Sequence, residues 1–187
     1  MSRDYCSKCT RPIAECYCDS IVAIENPIKV LIIQHPLESK HPYNTGRIAN
    51  MALQNSELII GETLSPQRLS ELSQTNSALL FPELSWLGDA TAMATEVEQL
   101  IVIDATWRKA KRILHLNPLL QNLPRVSLSG TQKSEYQIRT SSIDDGLSTI
   151  ESLMFGLAQL DETTNYQVLK QPFARMVALA KRYIPDS

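Results

Sequence analysis

Continuous apolar runs, rather than strict alternation of apolar and polar residues, mark the strands of this chain. Ile28 to Ile33 (Ile-Lys-Val-Leu-Ile-Ile), Leu58 to Gly61, Ala78 to Phe81 and Gln99 to Ile103 read as strands, and Leu100 to Ile103 as one buried on both faces, the habit of parallel sheets. Val126 to Leu128 and Tyr136 to Arg139 read as two shorter ones. Helical periodicity fills the intervals: Arg47 to Gln54, Ala105 to Leu116, Leu147 to Leu160 and Tyr166 to Tyr183. A further helix opens at Ser65-Pro66, serine as N-cap and proline at the first turn, and runs to about Ser73. Residues 83–95, with Trp86 among them, read as a loop. Strands alternating with helices predict an α/β domain, a mainly parallel sheet flanked by helices.

One stretch, Leu100 to Arg112, joins this pattern to chemistry. The apolar run stops at Asp104, a carboxylate at the carboxyl end of a strand, where open α/β sheets bind their ligands. Asp104 could orient or deprotonate a ligand, or it could cap the helix that follows. Trp107, in that helix's first turn, could stack on a base or pack beneath the sheet edge. Arg108, Lys111, Arg112 and His115 recur at helical spacing and form one cationic face, opposite Ala110, Ile113 and Leu114. Elsewhere, Asn44 or Thr45 caps the helix after His41-Pro42-Tyr43, and the free N–H groups there could also hold an anion. Ser148-x-x-Glu151 is a capping-box pattern behind the polar Asp144-Asp145-Gly146.

Composition is that of an ordinary globular chain of 187 residues, 43% hydrophobic and 20% charged, so a packed core is expected. No apolar run approaches the roughly 20 residues of a membrane span, and the N-terminus lacks the apolar core of a signal peptide. The expectation is a cytoplasmic protein with no membrane contact. A net charge of −2 hides an asymmetry. Ile48 to Ile103 carries seven acids against Arg68 alone, whereas Asp104 to Arg139 carries seven bases against two acids. The basic segment is a candidate polyanion footprint. All four cysteines fall in the first 18 residues, as Cys6-x2-Cys9 and Cys16-x-Cys18. Two close pairs can wrap one tetrahedral ion; zinc is the default for four thiolates, and an iron–sulfur cluster also accepts four. Such a site is closed and therefore structural. The chain has no GxGxxG or P-loop, no internal repeat and no low-complexity tract.

Asp104-Ala105-Thr106-Trp107 matches the D-x-T-W signature of the DTW-domain proteins. Companion motifs stand in order around it: the four cysteines, Gln34-His35-Pro36 with Glu38, Asn44-Thr45-Gly46, the Trp-Arg-Lys-Ala run, His115-Leu116-Asn117-Pro118, and Leu147-Ser148-Thr149 with Glu151. Each motif is weak alone, but the ordered set is specific. The chain resembles the bacterial tRNA-uridine aminocarboxypropyltransferases of that family, with Ala105 where relatives often have glycine.

The resemblance implies transfer of the 3-amino-3-carboxypropyl group of S-adenosylmethionine to N3 of a variable-loop uridine in tRNA, with methylthioadenosine released. It implies a SPOUT-like α/β domain with a C-terminal knot over residues 21–187, behind a zinc knuckle of Cys6, Cys9, Cys16 and Cys18 at residues 1–20. Under it Asp104, Thr106 and Trp107 are the catalytic residues, with Asp104 either base or positioner. Leu147, Ser148 and Thr149, with Pro82 and Leu128 at strand ends, are the S-adenosylmethionine contacts. Gln34, His35, Asn44, Thr45, Gly46, Arg47, Arg108, Lys111, Arg112 and Arg139 are the tRNA contacts. Two other readings stay open: an RNA methyltransferase using the same co-substrate, and a zinc-bearing RNA-binding protein without catalysis. Monomer and homodimer are equally open.

Overall fold

Two strands, β1 (Lys29–Gln34) and β4 (Gln99–Asp104), lie side by side inside a five-stranded parallel sheet in the computed structural model of the protein, which describes residues 4–82, 96–128 and 147–181. Outside β1 lies β2 (Ser56–Ile60); outside β4 lie β3 (Ser77–Leu80) and then β5 (Arg125–Val126), giving the order β2-β1-β4-β3-β5. Every residue of β4 is buried, because both of its faces are covered and both neighbours are strands.

Among the described residues six α-helices supply the cover: α1 (Thr45–Ala52), α2 (Pro66–Gln74), α3 (Trp107–Leu116), α4 (Pro118–Gln121), α5 (Thr149–Leu160) and α6 (Lys170–Lys181). Side chains alternate along each strand, so the sheet divides its apolar residues between two cores. Val30, Ile32, Leu100 and Val102 meet α1, α5 and α6, and Cys9 and Tyr17 from the cysteine segment are buried in the same cluster. Leu31, Ile33, Ile101 and Ile103 meet α2, α3 and α4, where Ala110, Ile113 and Leu114 form the buried stripe of α3. Each fully buried Leu or Ile contributes about 1.5–3 kcal/mol against exposure.

The strand order creates a switch point. From β1 the chain crosses through α1 to β2 on one side, whereas from β4 it crosses through α3 and α4 toward β5 on the other. The connections diverge above adjacent strand ends, which opens a crevice there. Gln34 and Asp104, in register as the last residues of β1 and β4, form its floor.

Element boundaries differ from the expected ones for local reasons. Helix α1 starts at Thr45, two residues early, because Asn44 Oδ1 accepts the Arg47 N–H at 2.8 Å and caps it. Helix α3 starts at Trp107 with Thr106 at the N-cap position, so Asp104 is no cap. The final helical stretch begins as a 3₁₀ turn, Tyr166–Leu169, before continuing as α6. The Ser148–Glu151 capping box forms as read, as does the Ser65 cap on α2. Residues 83–95, the strand expected at Tyr136 to Arg139, Tyr183, and residues 129–146 leading out of the β5 region, on which a knot would depend, lie outside the described residues. Among the described residues no helix is long and apolar enough to cross a membrane.

Candidate active site and four-cysteine cluster

Asp104 is 8% exposed, and both of its oxygens are engaged from opposite sides. Oδ2 accepts from Gln34 Nε2 at 2.6 Å, and Oδ1 accepts from the Thr149 hydroxyl at 2.6 Å. A carboxylate offers about four lone-pair directions, so two remain for a ligand. The two donors come from β1 and from the first turn of α5, which clamps the carboxylate at the switch point.

Gln34 is itself held. Its other amide hydrogen goes to Asn44 Oδ1 at 2.8 Å, which fixes the amide orientation, since both facing atoms are acceptors. Asn44 therefore serves as helix cap and as support for Gln34, and its Nδ2 donates to Glu38 O at 3.2 Å. Thr45 is buried at the start of α1. Gly46 follows because of a close approach: a Cβ there would lie 2.4 Å from Asp104 Oδ2 and 3.2 Å from Gln34 Nε2. Gly46→Ala should displace the carboxylate, and misplacements of about 1 Å cost reactions on the order of 100-fold. The extra methyl costs about 1–3 kcal/mol by overpacking, against about 0.5–1 kcal/mol regained in helix propensity. Turnover should therefore fall far more than the melting temperature; equal wild-type turnover would show that the carboxylate position is not critical.

A network lines the other side of the crevice. His35, 6% exposed, accepts the Leu37 N–H on Nδ1 at 3.1 Å, which leaves Nε2 to face Glu62 at 2.8 Å. Glu62 also takes Arg112 Nε at 2.8 Å, and Arg112 first, then His35, hold its carboxyl below the usual range. Asn117, fully buried, fixes this corner by accepting the Leu64 N–H and donating to Glu62 O, both at 2.8 Å. Lys109 reaches Glu38 at 2.7 Å, tying α3 to the loop after β1. The charge of α3 is thus partly offset, Arg112 on its cationic face by Glu62 and the neighbouring Lys109 by Glu38, which local spacing could not reveal. Arg108 and Lys111 are exposed on it. Trp107 packs edge-on against Phe81 (centroids 5.7 Å apart, 75° between planes), and 41% of its surface stays open.

Other expected site residues stand near by in different settings. Ser148 is buried and hydrogen-bonded to Glu151 through N–H and hydroxyl, at 2.8 and 2.6 Å, with Leu147 half-buried before it. Pro82 is exposed just past β3, and Leu128 packs half-buried on the core beyond β5. Arg47 turns away from the crevice: its guanidinium donates to Cys9 O at 3.0 Å, Ser39 O at 2.9 Å and the Thr10 hydroxyl. Arg139 lies outside the described residues.

The four cysteines converge at the other end of that arginine. Cys6 and Cys18 sulfurs are 3.8 Å apart, Cys9 and Cys16 sulfurs 3.7 Å, and all four lie within 4.8 Å of one another. A tetrahedron with zinc–sulfur bonds of about 2.3 Å has edges of about 3.8 Å, so the cluster could hold such an ion. Backbone N–H groups of Cys9 and then Lys8 lower the Cys6 thiol to about 6, whereas burial raises that of Cys18. Thr10 adopts φ of +58° to close the first knuckle, a costly conformation for a β-branched residue, and Arg47 bonds to it there.

A family model described as DTW domain matches residues 3–181. The chain is 28% identical over 202 residues to tRNA-uridine aminocarboxypropyltransferase 2 of Drosophila melanogaster, covering 99% of this chain and 76% of the relative. It is 30% identical over 185 residues to the protein of the same name from Macaca fascicularis, covering 88% of this chain. It is 29% identical over 133 residues to tRNA-uridine aminocarboxypropyltransferase A of Arabidopsis thaliana, covering 60% of this chain. The chain spans only 58% and 50% of these last two relatives. No solved structure matches it.

Proposed function

The chain belongs to the DTW-domain family, and on that premise we propose that it transfers the 3-amino-3-carboxypropyl group of S-adenosylmethionine to N3 of a uridine in tRNA. The relatives' names give aminocarboxypropyl transfer to tRNA uridine, and the clamped Asp104 carboxylate at the switch point is the observation in this chain that supports the reading most.

Uridine N3 is a poor nucleophile until it loses its proton. Asp104, with lone pairs to spare, is placed to accept the N3–H hydrogen bond, whether as base or as positioner. The N3–carbon bond forms as the carbon–sulfur bond of the sulfonium breaks, and methylthioadenosine leaves. The sulfonium makes several carbons electrophilic, so regiochemistry depends on which one is held in line with N3. We assign that positioning to the turn Leu147-Ser148-Thr149, where the capping box rigidifies the backbone beside Asp104, with Pro82 and Leu128 at neighbouring strand ends. Thr106 and the open face of Trp107 border the uridine. Gln34 holds Asp104 in place, and Asn44 and Gly46 hold Gln34 and the space around it. Cys6, Cys9, Cys16 and Cys18 would bind zinc, in a closed structural role.

Incubation with S-adenosylmethionine and unmodified tRNA, followed by nucleoside mass analysis, tests the reading. An aminocarboxypropyl adduct on uridine is expected. A methyl adduct would make the protein a methyltransferase, and no adduct, with no thermal stabilisation by S-adenosylmethionine, would make it a binding protein.

The exposed cations of α3, Arg108 with Lys111 and Arg112, are assigned to tRNA phosphates, together with Arg139. Arg108→Gln should weaken tRNA binding and lower the salt slope by roughly one contact. Arg112→Gln should do less, because Arg112 is already paired with Glu62. Titrations at two or more salt concentrations check both, and an unchanged slope for Arg108→Gln would place the docking face elsewhere.

A further inference from the structure

A second basic concavity lies on the far side of the loop that follows β1. It has a volume of about 220 Å³ and separates the cysteine segment from residues 39–42. Arg11, Lys40, His41 and Arg47 contribute nitrogen to its lining, with Tyr5, Thr10 and Ser39, and Glu15 is its one acid.

The charges there are unevenly neutralised. Glu15 pairs with Arg11, which also donates to Pro42 O and lies 5.6 Å over the Tyr43 ring. Arg47 donates only to uncharged oxygens, the carbonyls of Cys9 and Ser39 and the Thr10 hydroxyl, so its charge persists. Lys40 and His41 are exposed at the rim, and Tyr5 is 60% exposed beside them. Arg11, 7% exposed, keeps a buried Nε–H with no acceptor. The cleft is therefore cationic, rich in donors and flanked by an open aromatic ring. Its volume falls below the roughly 300–1,000 Å³ of small-molecule sites, which suits a stretch of polymer backbone better than a whole free cofactor.

We propose that this cleft between the cysteine knuckle and the β1–α1 loop binds the RNA backbone beside the modified nucleotide, with Lys40 and His41 meeting phosphate and Tyr5 available to stack on a base. The placement rests on the tRNA reading above. The loop's other end carries Asn44 and Gly46, which support Asp104, so one loop borders both the reacting carboxylate and the cleft. A strand of RNA lying along the cleft thus arrives next to the crevice. The arrangement gives the cysteine knuckle a binding role in addition to its packing against α1.

The test compares two variants that each remove one positive charge. Lys40→Gln lies on the cleft; Lys29→Gln lies at the opposite, amino end of β1, where it pairs with Glu57. Binding of unmodified tRNA, followed by fluorescence anisotropy between low and moderate salt, should show Kd for Lys40→Gln raised roughly 3- to 10-fold at low salt. The log–log salt slope should fall by about 0.7–0.9, one phosphate contact. Lys29→Gln should stay within twofold of wild type. Equal shifts in both variants, no shift in Lys40→Gln, or no tRNA binding by the unaltered protein would overturn the proposal. Because anisotropy needs no turnover, nucleoside mass analysis of the same samples separates the two readings. Adduct formed by the unaltered protein, with Lys40→Gln binding unchanged, sinks the cleft and leaves the reaction; no adduct from the unaltered protein, with Lys40→Gln binding weakened, sinks the reaction and leaves the cleft.

Discussion

Asp104→Asn is expected to reduce aminocarboxypropyl transfer by about 100- to 10,000-fold, the range in which a positioned acid–base group acts, while the chain stays folded. The hydrogen bonds show why the fold survives. Asparagine replaces one acceptor oxygen with an NH₂ group, and two donors face the original carboxylate. Opposite Gln34 the new amide would meet another N–H. Gln34 cannot turn over to relieve this, because its second hydrogen goes to Asn44 Oδ1, which also caps α1. Opposite Thr149 the amide is tolerated, since a hydroxyl can rotate from donating to accepting. The asparagine oxygen therefore faces Gln34 and its nitrogen faces Thr149. The exchange costs about 1 kcal/mol, or roughly 2–4 °C in Tm for a chain of this size. What disappears is the negative charge that the proposed reaction sets beside uridine N3. A single-turnover assay by nucleoside mass analysis, read with a thermal melt, checks both parts. Transfer within tenfold of wild type would remove Asp104 from the chemistry, and a melt lowered by more than about 10 °C would mark it as a folding residue instead.

No local pattern discloses the contacts around Asp104. Asp104 stood out in the sequence because an apolar run ends on it, and a buried parallel strand announces itself by such a run. Its partners Gln34 and Thr149 lie 70 and 45 residues away, and only the pairing of β1 with β4 and the return of α5 bring them there. Capping was legible at Ser65, Asn44 and Ser148, since it depends on residues within one turn. The charge balance of α3 was legible only in part, because it depends on distant residues. Helical spacing collects Arg108, Lys111 and Arg112 on one face, but Glu62 and Glu38 reach that helix from the loops after β2 and β1. Arg47 faces away from the crevice and toward the cysteine segment and Ser39, because the first turn of α1 points its side chain there.

Removing the metal we assign to the four cysteines is expected to have the other large effect, and on stability rather than on chemistry directly. Zinc-finger peptides draw about 10–16 kcal/mol from a four-ligand site. This segment packs on a sheet that folds around its own two cores, so only part of that figure should appear as a loss here. Cys9 and Tyr17 are nevertheless buried against α1, α5 and α6, and four thiolates within 4.8 Å of one another without an ion would repel one another. Protonating them in the absence of metal weakens the turn that holds Thr10 at positive φ. Arg47 would then lose its acceptors at Cys9 O and the Thr10 hydroxyl, and Arg11, which donates to Pro42 O from the same segment, would lose its placement, loosening the loop that ends at Asn44 and Gly46. Treatment with a strong chelator, or Cys9→Ser, should release about one zinc per chain and lower Tm by more than about 10 °C. Adding zinc back should restore the chelated protein but not the serine variant. Because protons compete for thiolates, release should become easier as pH falls. The measurement is metal content by mass spectrometry alongside a melt. Purified protein without zinc or another ion that melts at the same temperature as chelated protein would show that the four sulfurs hold this end of the chain without a metal.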